Sequence, residues 1–440
     1  MTRLFRFSHV VDRRSFLKRR DFLASVLALA ATAGEAHAAN KKTAKKPATS
    51  ASSKSKKAAS NKTSNRKASS RKPSRSARSV APAVPASEQS VIDHPLKGTS
   101  ATRLPPTKAP DLPTDWRTYE ITTLVKLPPG YQGPAKLWLP LAMNQDTLYQ
   151  RVIGHQWQGN TLTAGLRRLP DGELEVLTCE WRDAAEAGFR LISQISTADR
   201  QFDVSKRSAP PDREDILRKN LAASSLMPTE GPIQALTDSI VGRVKDPVAQ
   251  VKAIFDWVID NSRYDPTLPG CGSGDVHQQL ARGNYGGRSA DINGLFVALC
   301  RTSGIPARCA YGLRIGSSNL FPSLGLSGDD ATQGFHVRAE FYIPGYGWIG
   351  VDPSDVRRAM TLDKLSEHEP RLAALRRVMF GVWEMNWIAL NTANDVKLPD
   401  FAQSTHAMFE PRLSINGNPV GPQRALAAPY YRISARQIKV

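Results

Sequence analysis

The chain has 440 residues, with 60 Lys and Arg against 40 Asp and Glu, a formal net charge of +20 and a pI near 9.9. An average this basic points first to nucleic acid, but the charge is uneven. Residues 1–38 carry a net +4 and residues 41–80 hold fourteen Lys and Arg with no acid, which leaves about +2 for the rest. The folded part is close to neutral, so overall charge gives no support to a specific nucleic-acid partner.

Residues 1–38 have the pattern of an export signal. Arg13-Arg14-Ser15-Phe16-Leu17-Lys18 resembles the twin-arginine motif, a modestly apolar run follows from Phe22 to Ala33, and Ala36-His37-Ala38 fits a small-x-small cleavage site. The run is too short to span a bilayer, so no transmembrane helix is expected in the mature chain. Residues 39–111 are rich in Lys, Ser, Ala and Pro, and no Phe, Trp or Tyr occurs between Asn40 and Pro113. Such a stretch cannot bury enough apolar surface to offset its ordering entropy and is predicted disordered. It reads equally as a solvated tether or as a contact for anionic polymers of the cell envelope, and it would favour twin-arginine export.

Residues 112–205 are predicted as a β-rich unit. Strand patterns run over Tyr119 to Leu127, Lys136 to Leu141, Leu174 to Trp181 and Phe189 to Ile195, with Asp171-Gly172 as a hairpin turn. Short strands at this spacing predict a small β-sandwich. Asp203 to Arg213 reads as a linker.

Residues 206–362 form the unit that carries the chemistry. Helices are predicted from Pro232, and from Pro247 after an Asp246 N-cap, the second with Val248, Val251, Phe255 and Val258 on one stripe. The organising stretch is Gly286 to Arg308: a glycine turn, then a helix with Ile292, Leu295, Phe296, Leu299 and Cys300 on its apolar face, stopped at Gly304 and Pro306. Ser289 sits where loop becomes helix, where outward N–H groups and the helix dipole favour an anion. Strands are predicted over Ala307 to Ile315, Phe335 to Ile343 and Trp348 to Val351, the last two joined by a turn at Gly345-Tyr346-Gly347. Strand alternation puts His336, Arg338 and Glu340 on the polar face, Arg338 and Glu340 as a solvated ion pair. The antiparallel turn then brings His336 near Asp352, as an acid that orients an imidazole.

AIFDWVIDNSRYDP, GCGSGDV, GNYGGRSADINGLFVALCRTSGIPARCAYGLRIG, FHVRAEFYIPGYGW and VDPSDVR, between Pro228 and about Arg358, together resemble the bacterial transglutaminase-like superfamily. The resemblance implies an α+β, papain-like core, a helix packed on an antiparallel sheet, behind an N-terminal β domain. It implies a Cys, His, Asp mechanism in which a thiolate attacks a carboxamide or peptide carbonyl and an amine or water resolves the thioester. Carried over, the histidine is His336, the aspartate Asp352, and the nucleophile position is Ser289, where the family has cysteine. A serine hydroxyl gains less from a helix end than a thiol does. Three readings stay open: a pseudoenzyme that binds peptides, a Ser289–His336–Asp352 triad for hydrolysis or acyl transfer, or another cysteine as nucleophile. Cys271, in a glycine-rich loop, is the cysteine placed to react, whereas Cys300, Cys309 and Cys179 read as core. No cofactor and no metal site is expected, since paired ligand spacings are absent. Asn284 and Tyr285 stand close enough to the nucleophile position to suggest oxyanion donors, and Trp348 to suggest a cleft cover.

Residues 363–440 are predicted to pack on the core. Leu372 to Trp387 has a helical pattern with Trp383 and Trp387 four apart, Asn391 to Pro399 and Pro411 to Pro422 read as loops, and Tyr430 to Ile438 as a closing strand. The whole then reads as an exported, periplasmic protein with a peptide or protein as its substrate or ligand.

Overall fold

The computed structural model describes residues 113–439 apart from 128, 145–146, 170–173, 203–208, 400, 402–404 and 422–428. The export signal and the basic tract lie outside the described residues.

The chain begins with strands: β1 (Arg117–Lys126), β2 (Ala135–Pro140), β3 (Gln150–Gly159), β4 (Thr163–Leu169), β5 (Leu174–Trp181), β6 (Gly188–Thr197) and the short β7 (Arg200–Gln201). In β1 the buried positions alternate, Tyr119, Ile121, Thr123 and Val125, as a strand with one core face requires. Helices α1 (Glu214–Lys219), α2 (Pro232–Val241), α3 (Pro247–Asn261), α4 (Val276–Arg282) and α5 (Ser289–Thr302) follow. The Asp246 carboxylate caps α3, accepting the Ala249 N–H at 2.7 Å. Then come β8 (Ala307–Arg314), β9 (Phe335–Ile343), β10 (Gly347–Val351), α6 (Pro353–Leu362), α7 (Pro370–Val378), β11 (Val382–Trp383), β12 (Trp387–Asn391), β13 (Arg412–Ile415), β14 (Asn418–Pro419) and β15 (Tyr431–Ile438).

Two antiparallel sheets, ordered β15-β1-β6-β3 and β14-β13-β2-β5-β4, share one core, with Tyr119, Ile121 and Val125 of β1 in the same cluster as Leu137, Leu139 and Leu177 of the other sheet. A third antiparallel sheet, β10-β9-β8-β12, carries α5 against it. Helix α5 is buried almost all round, because α2, α3, α4 and α6 pack on the sides the sheet does not cover. No helix among the described residues is long and apolar enough to cross a membrane.

Three expectations are corrected. The helical pattern of Leu372 to Trp387 stops at Val378. Gly381, at φ +117°, turns the chain, and Trp383 and Trp387 lie on β11 and β12. Both rings press on glycine backbone: a Cβ on Gly350 would stand 2.6 Å from the Trp383 ring, and one on Gly312 2.2 Å from that of Trp387. Within Pro411 to Pro422, read as loop, β13 and β14 form a two-strand ribbon. The polar face of β9 is not solvated, since His336, Arg338 and Glu340 are all at most 3% exposed. Glu340 is gripped by Arg200 and Arg308, and the Arg338 guanidinium lies 4.8 Å from the Trp387 ring centre.

Candidate functional site

The site is built where α5 meets the end of β9. The loop before α5 is held by one side chain. Asp291 Oδ1 accepts the N–H groups of Ser273 (3.0 Å) and Gly274 (2.8 Å), and its Oδ2 accepts that of Arg288 (2.8 Å). Gly272 sits at φ +92°, and a Cβ there would come within 1.8 Å of Asp291 Oδ2, so only glycine admits this carboxylate. The result is a turn that sets Cys271 beside the start of α5, its carbonyl accepting the Ala290 N–H at 2.8 Å.

Strand β10 pairs with β9 only as far as Val351 opposite Ala339; the chain then turns away into α6. The N–H and C=O of Val337 are left with no strand partner on that edge. Two residues of α5, one turn apart, take their place. Ser289 Oγ accepts the Val337 N–H at 3.2 Å, and Asn293 Nδ2 donates to the Val337 carbonyl at 2.7 Å.

The same Asn293 Nδ2 lies 3.1 Å from Asp352 Oδ1, which also accepts from Ser354 Oγ (2.7 Å) and the Asp355 N–H (3.1 Å). Asp352 is thereby the N-cap of α6. Its other oxygen, Oδ2, is 2.8 Å from His336 Nε2. Because a carboxylate only accepts, Nε2 carries the proton and Nδ1 is the basic nitrogen. Burial, and then the charge of Arg314, hold the His336 imidazole well below its ordinary pKa, so it is neutral at pH 7. Asp355 Oδ1 is 3.4 Å from His336 Nε2 and is paired with Arg314 at 2.6 Å.

The structure thus brings His336 and Asp352 together and sets Ser289 one peptide unit away from His336, all three at most 4% exposed. Among the described residues no hydrogen bond joins Ser289 to His336. Asn293, Ser354, Asp355 and Arg314 were missed. Asn293 could have been found, as a polar residue four after Ser289 on an otherwise apolar helix, and Ser354 and Asp355 as the first turn after a capping Asp-Pro.

The other expected residues go elsewhere. Asn284 Oδ1 accepts the Gly286 N–H at 3.1 Å, and the Tyr285 ring meets Trp257 edge-on at 5.2 Å. Trp348 packs under Arg308 at 3.8 Å and donates to Asp212. Cys271 is buried, and burial pushes its thiol up to about 12. Cys179, Cys300 and Cys309 are buried free thiols, the first raised to about 12 and the last to about 11. His336, Asp352 and Asp355 offer ligand atoms within 4.8 Å of one another. The cations already at their carboxylates are guanidiniums: Arg314 on Asp355 and Arg338 at 3.6 Å from Asp352. That arrangement fits a hydrogen-bonded dyad better than a divalent metal.

The profile described as the transglutaminase-like superfamily matches residues 234–353, which run from within α2 to the start of α6 and include Asp352. An uncharacterized protein of Haemophilus influenzae is 32% identical over 337 residues, covering 71% of this chain and 90% of that protein. Among solved structures, a candidate cysteine protease from Cytophaga hutchinsonii is 16% identical, with a TM-score of 0.43, over 73% of this chain and 99% of its own. The periplasmic domain of TgpA from Pseudomonas aeruginosa is 19% identical, with a TM-score of 0.30, over 55% and 88%. With the profile centred on the helix and sheet that hold Ser289, His336 and Asp352, and a relative aligned along most of its length, the chain belongs to the transglutaminase-like superfamily.

Proposed function

We propose that this is an exported protein of the cell envelope that binds peptide or protein segments with a transglutaminase-like core and has given up acyl transfer. The observation that carries the reading is what the Ser289 hydroxyl does. It accepts the Val337 N–H at 3.2 Å, and among the described residues it makes no hydrogen bond to His336. A hydroxyl becomes a nucleophile only if a base removes its proton during attack, and here it serves the fold. Export rests on Arg13-Arg14 and the cleavage pattern ending at Ala38, and residues 39–111 would tether the core to anionic envelope polymers.

The 2.8 Å His336–Asp352 bond favours a second reading, an active triad. There, Ser289 Oγ would attack a carbonyl carbon while His336 Nδ1 takes its proton. The proton would pass to the departing amine as the C–N bond breaks, leaving an acyl ester for water or an amine to resolve.

The test is the intact mass of the full chain after incubation with an electrophilic acyl-donor peptide, beside Ser289→Cys. Labelling of the Cys variant alone supports the binding protein. An adduct on the native chain that maps to Ser289 and disappears in His336→Ala overturns it in favour of the triad.

A further inference from the structure

The β-rich part is open along one side. Strand β3 ends one of its two sheets and β4 ends the other. Asn160 to Leu162 join them, so both edges lie on the same side of the shared core, on which Val152 and Ala164 pack. Paired residues on neighbouring strands share a face. Leu191 of β6 points into the core at 4% exposure, and its partner on β3 is Trp157. Leu177 of β5 is fully buried, and its partner on β4 is Leu166. Yet Trp157 is 38% exposed and Leu166 56%, so the row that each sheet buries is uncovered at its last strand. Five of the ten exposed large apolar side chains among the described residues fall between Leu148 and Leu166. Such a concentration on a surface marks an interaction site.

The edge of β3 is guarded only at its start. Arg151 and a bulge between Val152 and Gly154 protect that end, whereas Gly154 to Gly159 pairs regularly with β6 and holds no Lys, Arg, Asp, Glu or Pro. Among the described residues no strand pairs with its other edge. The charge around it has one sign. From Thr147 to Pro170 the sequence has Arg151, Arg167 and Arg168 and no acid. The Arg151 guanidinium rests on the Trp116 ring at 4.3 Å. The acids nearest in register, Glu175 and Glu180, lie one strand in, on β5, and Glu180 is engaged by Lys136 and Thr163.

We propose that the free edge of β3 receives an extended acidic segment of another protein, which pairs with Gly154 to Gly159 as an added strand. Its alternate apolar side chains cover Trp157 and Leu166, and its acidic side chains stand beside Arg151. The unpaired edge favours a strand over a membrane, because lipid cannot satisfy backbone N–H and C=O groups. The three arginines and the basic residues of 41–80 favour a foreign strand over a second copy, which would bring the same charge. The proposal uses none of Ser289, His336 and Asp352 and does not depend on what they do.

The test mixes the full chain, at low salt and neutral pH, with capped heptapeptides of alternating Glu and Val or alternating Lys and Val. The Glu peptide should bind about tenfold tighter in calorimetry and should slow amide hydrogen exchange across Gly154 to Gly159. Trp157→Ser should weaken that binding about tenfold without moving the melting temperature. Arg151→Glu should turn the preference toward the Lys peptide. Equal affinities, no binding of either peptide, or binding without slowed exchange in β3 overturns the proposal. A Glu preference that neither variant changes also overturns it and assigns the binding to the basic tract. A dimer in light scattering, or retention on anionic lipid vesicles, that Trp157→Ser abolishes overturns it in favour of that other occupant.

Discussion

At position 289 a hydroxyl satisfies a buried backbone donor that a methyl group would abandon. Ser289→Ala should therefore cost about 1–3 kcal/mol in urea unfolding, the penalty for an orphaned N–H. Asn293 is the more exposed to substitution, because its one amide holds the Val337 carbonyl and Asp352 Oδ1 together. Asn293→Ala should cost roughly 3 kcal/mol, and it should let the His336 ring signals broaden in NMR as Asp352 loses its anchor. The depressed pKa of His336 also gives stability a pH slope. The unfolded imidazole binds a proton near the ordinary 6.5 and the folded one does not, so the folded state is favoured above 6.5 and loses that advantage as pH falls below it. Between pH 7.5 and 5.5 the native chain should lose melting temperature, and His336→Gln should flatten that part of the curve. An unchanged slope in the variant would show that other groups govern it.

Among the elements, α5 and its preceding turn were legible because every signal agreed: glycine, an acid in the first turn, apolar spacing and a Gly/Pro stop. What the pattern could not show was that Gly272 exists to admit the Asp291 carboxylate, a contact across 19 residues. Gly272→Ala should lower the melting temperature more than Gly283→Ala, a C-cap glycine with open space around its would-be Cβ. The misreading at Trp383 and Trp387 has a plain origin. A spacing of four suits a helical face, but here it falls across a bend, with the two indoles on short strands of different sheets. Strand β9 misled for a related reason: its alternation was real, but polar residues do not report solvent when another layer supplies guanidiniums and indoles to cover them.

For the molecule as a whole, that second layer matters most. Glu340 is buried between Arg200 and Arg308, with its carboxyl held at about 2 by their charges, so β7 and the β8–β9 sheet are joined by a buried Arg–Glu–Arg group. Removing its centre strands two buried cations. Glu340→Gln should cost about 3–5 kcal/mol, measurable by urea unfolding. By contrast, Arg213→Ala, whose pair with Asp215 is exposed, should be close to neutral. The separate units expected from the sequence share elements in three dimensions, which single-sequence patterning cannot reveal. Strand β12 completes the α5 sheet, and β13 and β15 complete the two sheets of the β-rich part.

The pairing of β15 with β1 has a consequence for how the chain is made. Thr118 lies opposite Ile438, so the first strand of the described fold waits for one of the last to be synthesised. On the ribosome, the edge of β1 in the sheet β15-β1-β6-β3 stays unpaired until residue 438 has cleared the exit tunnel. A nascent chain arrested before Tyr431 should be cut readily by protease within β1, and one arrested well past Ile438, on an added linker, should resist. Closure of that sheet thus waits for a strand more than 300 residues further along, and a holding chaperone would have its longest engagement with the segment around Tyr119 to Val125.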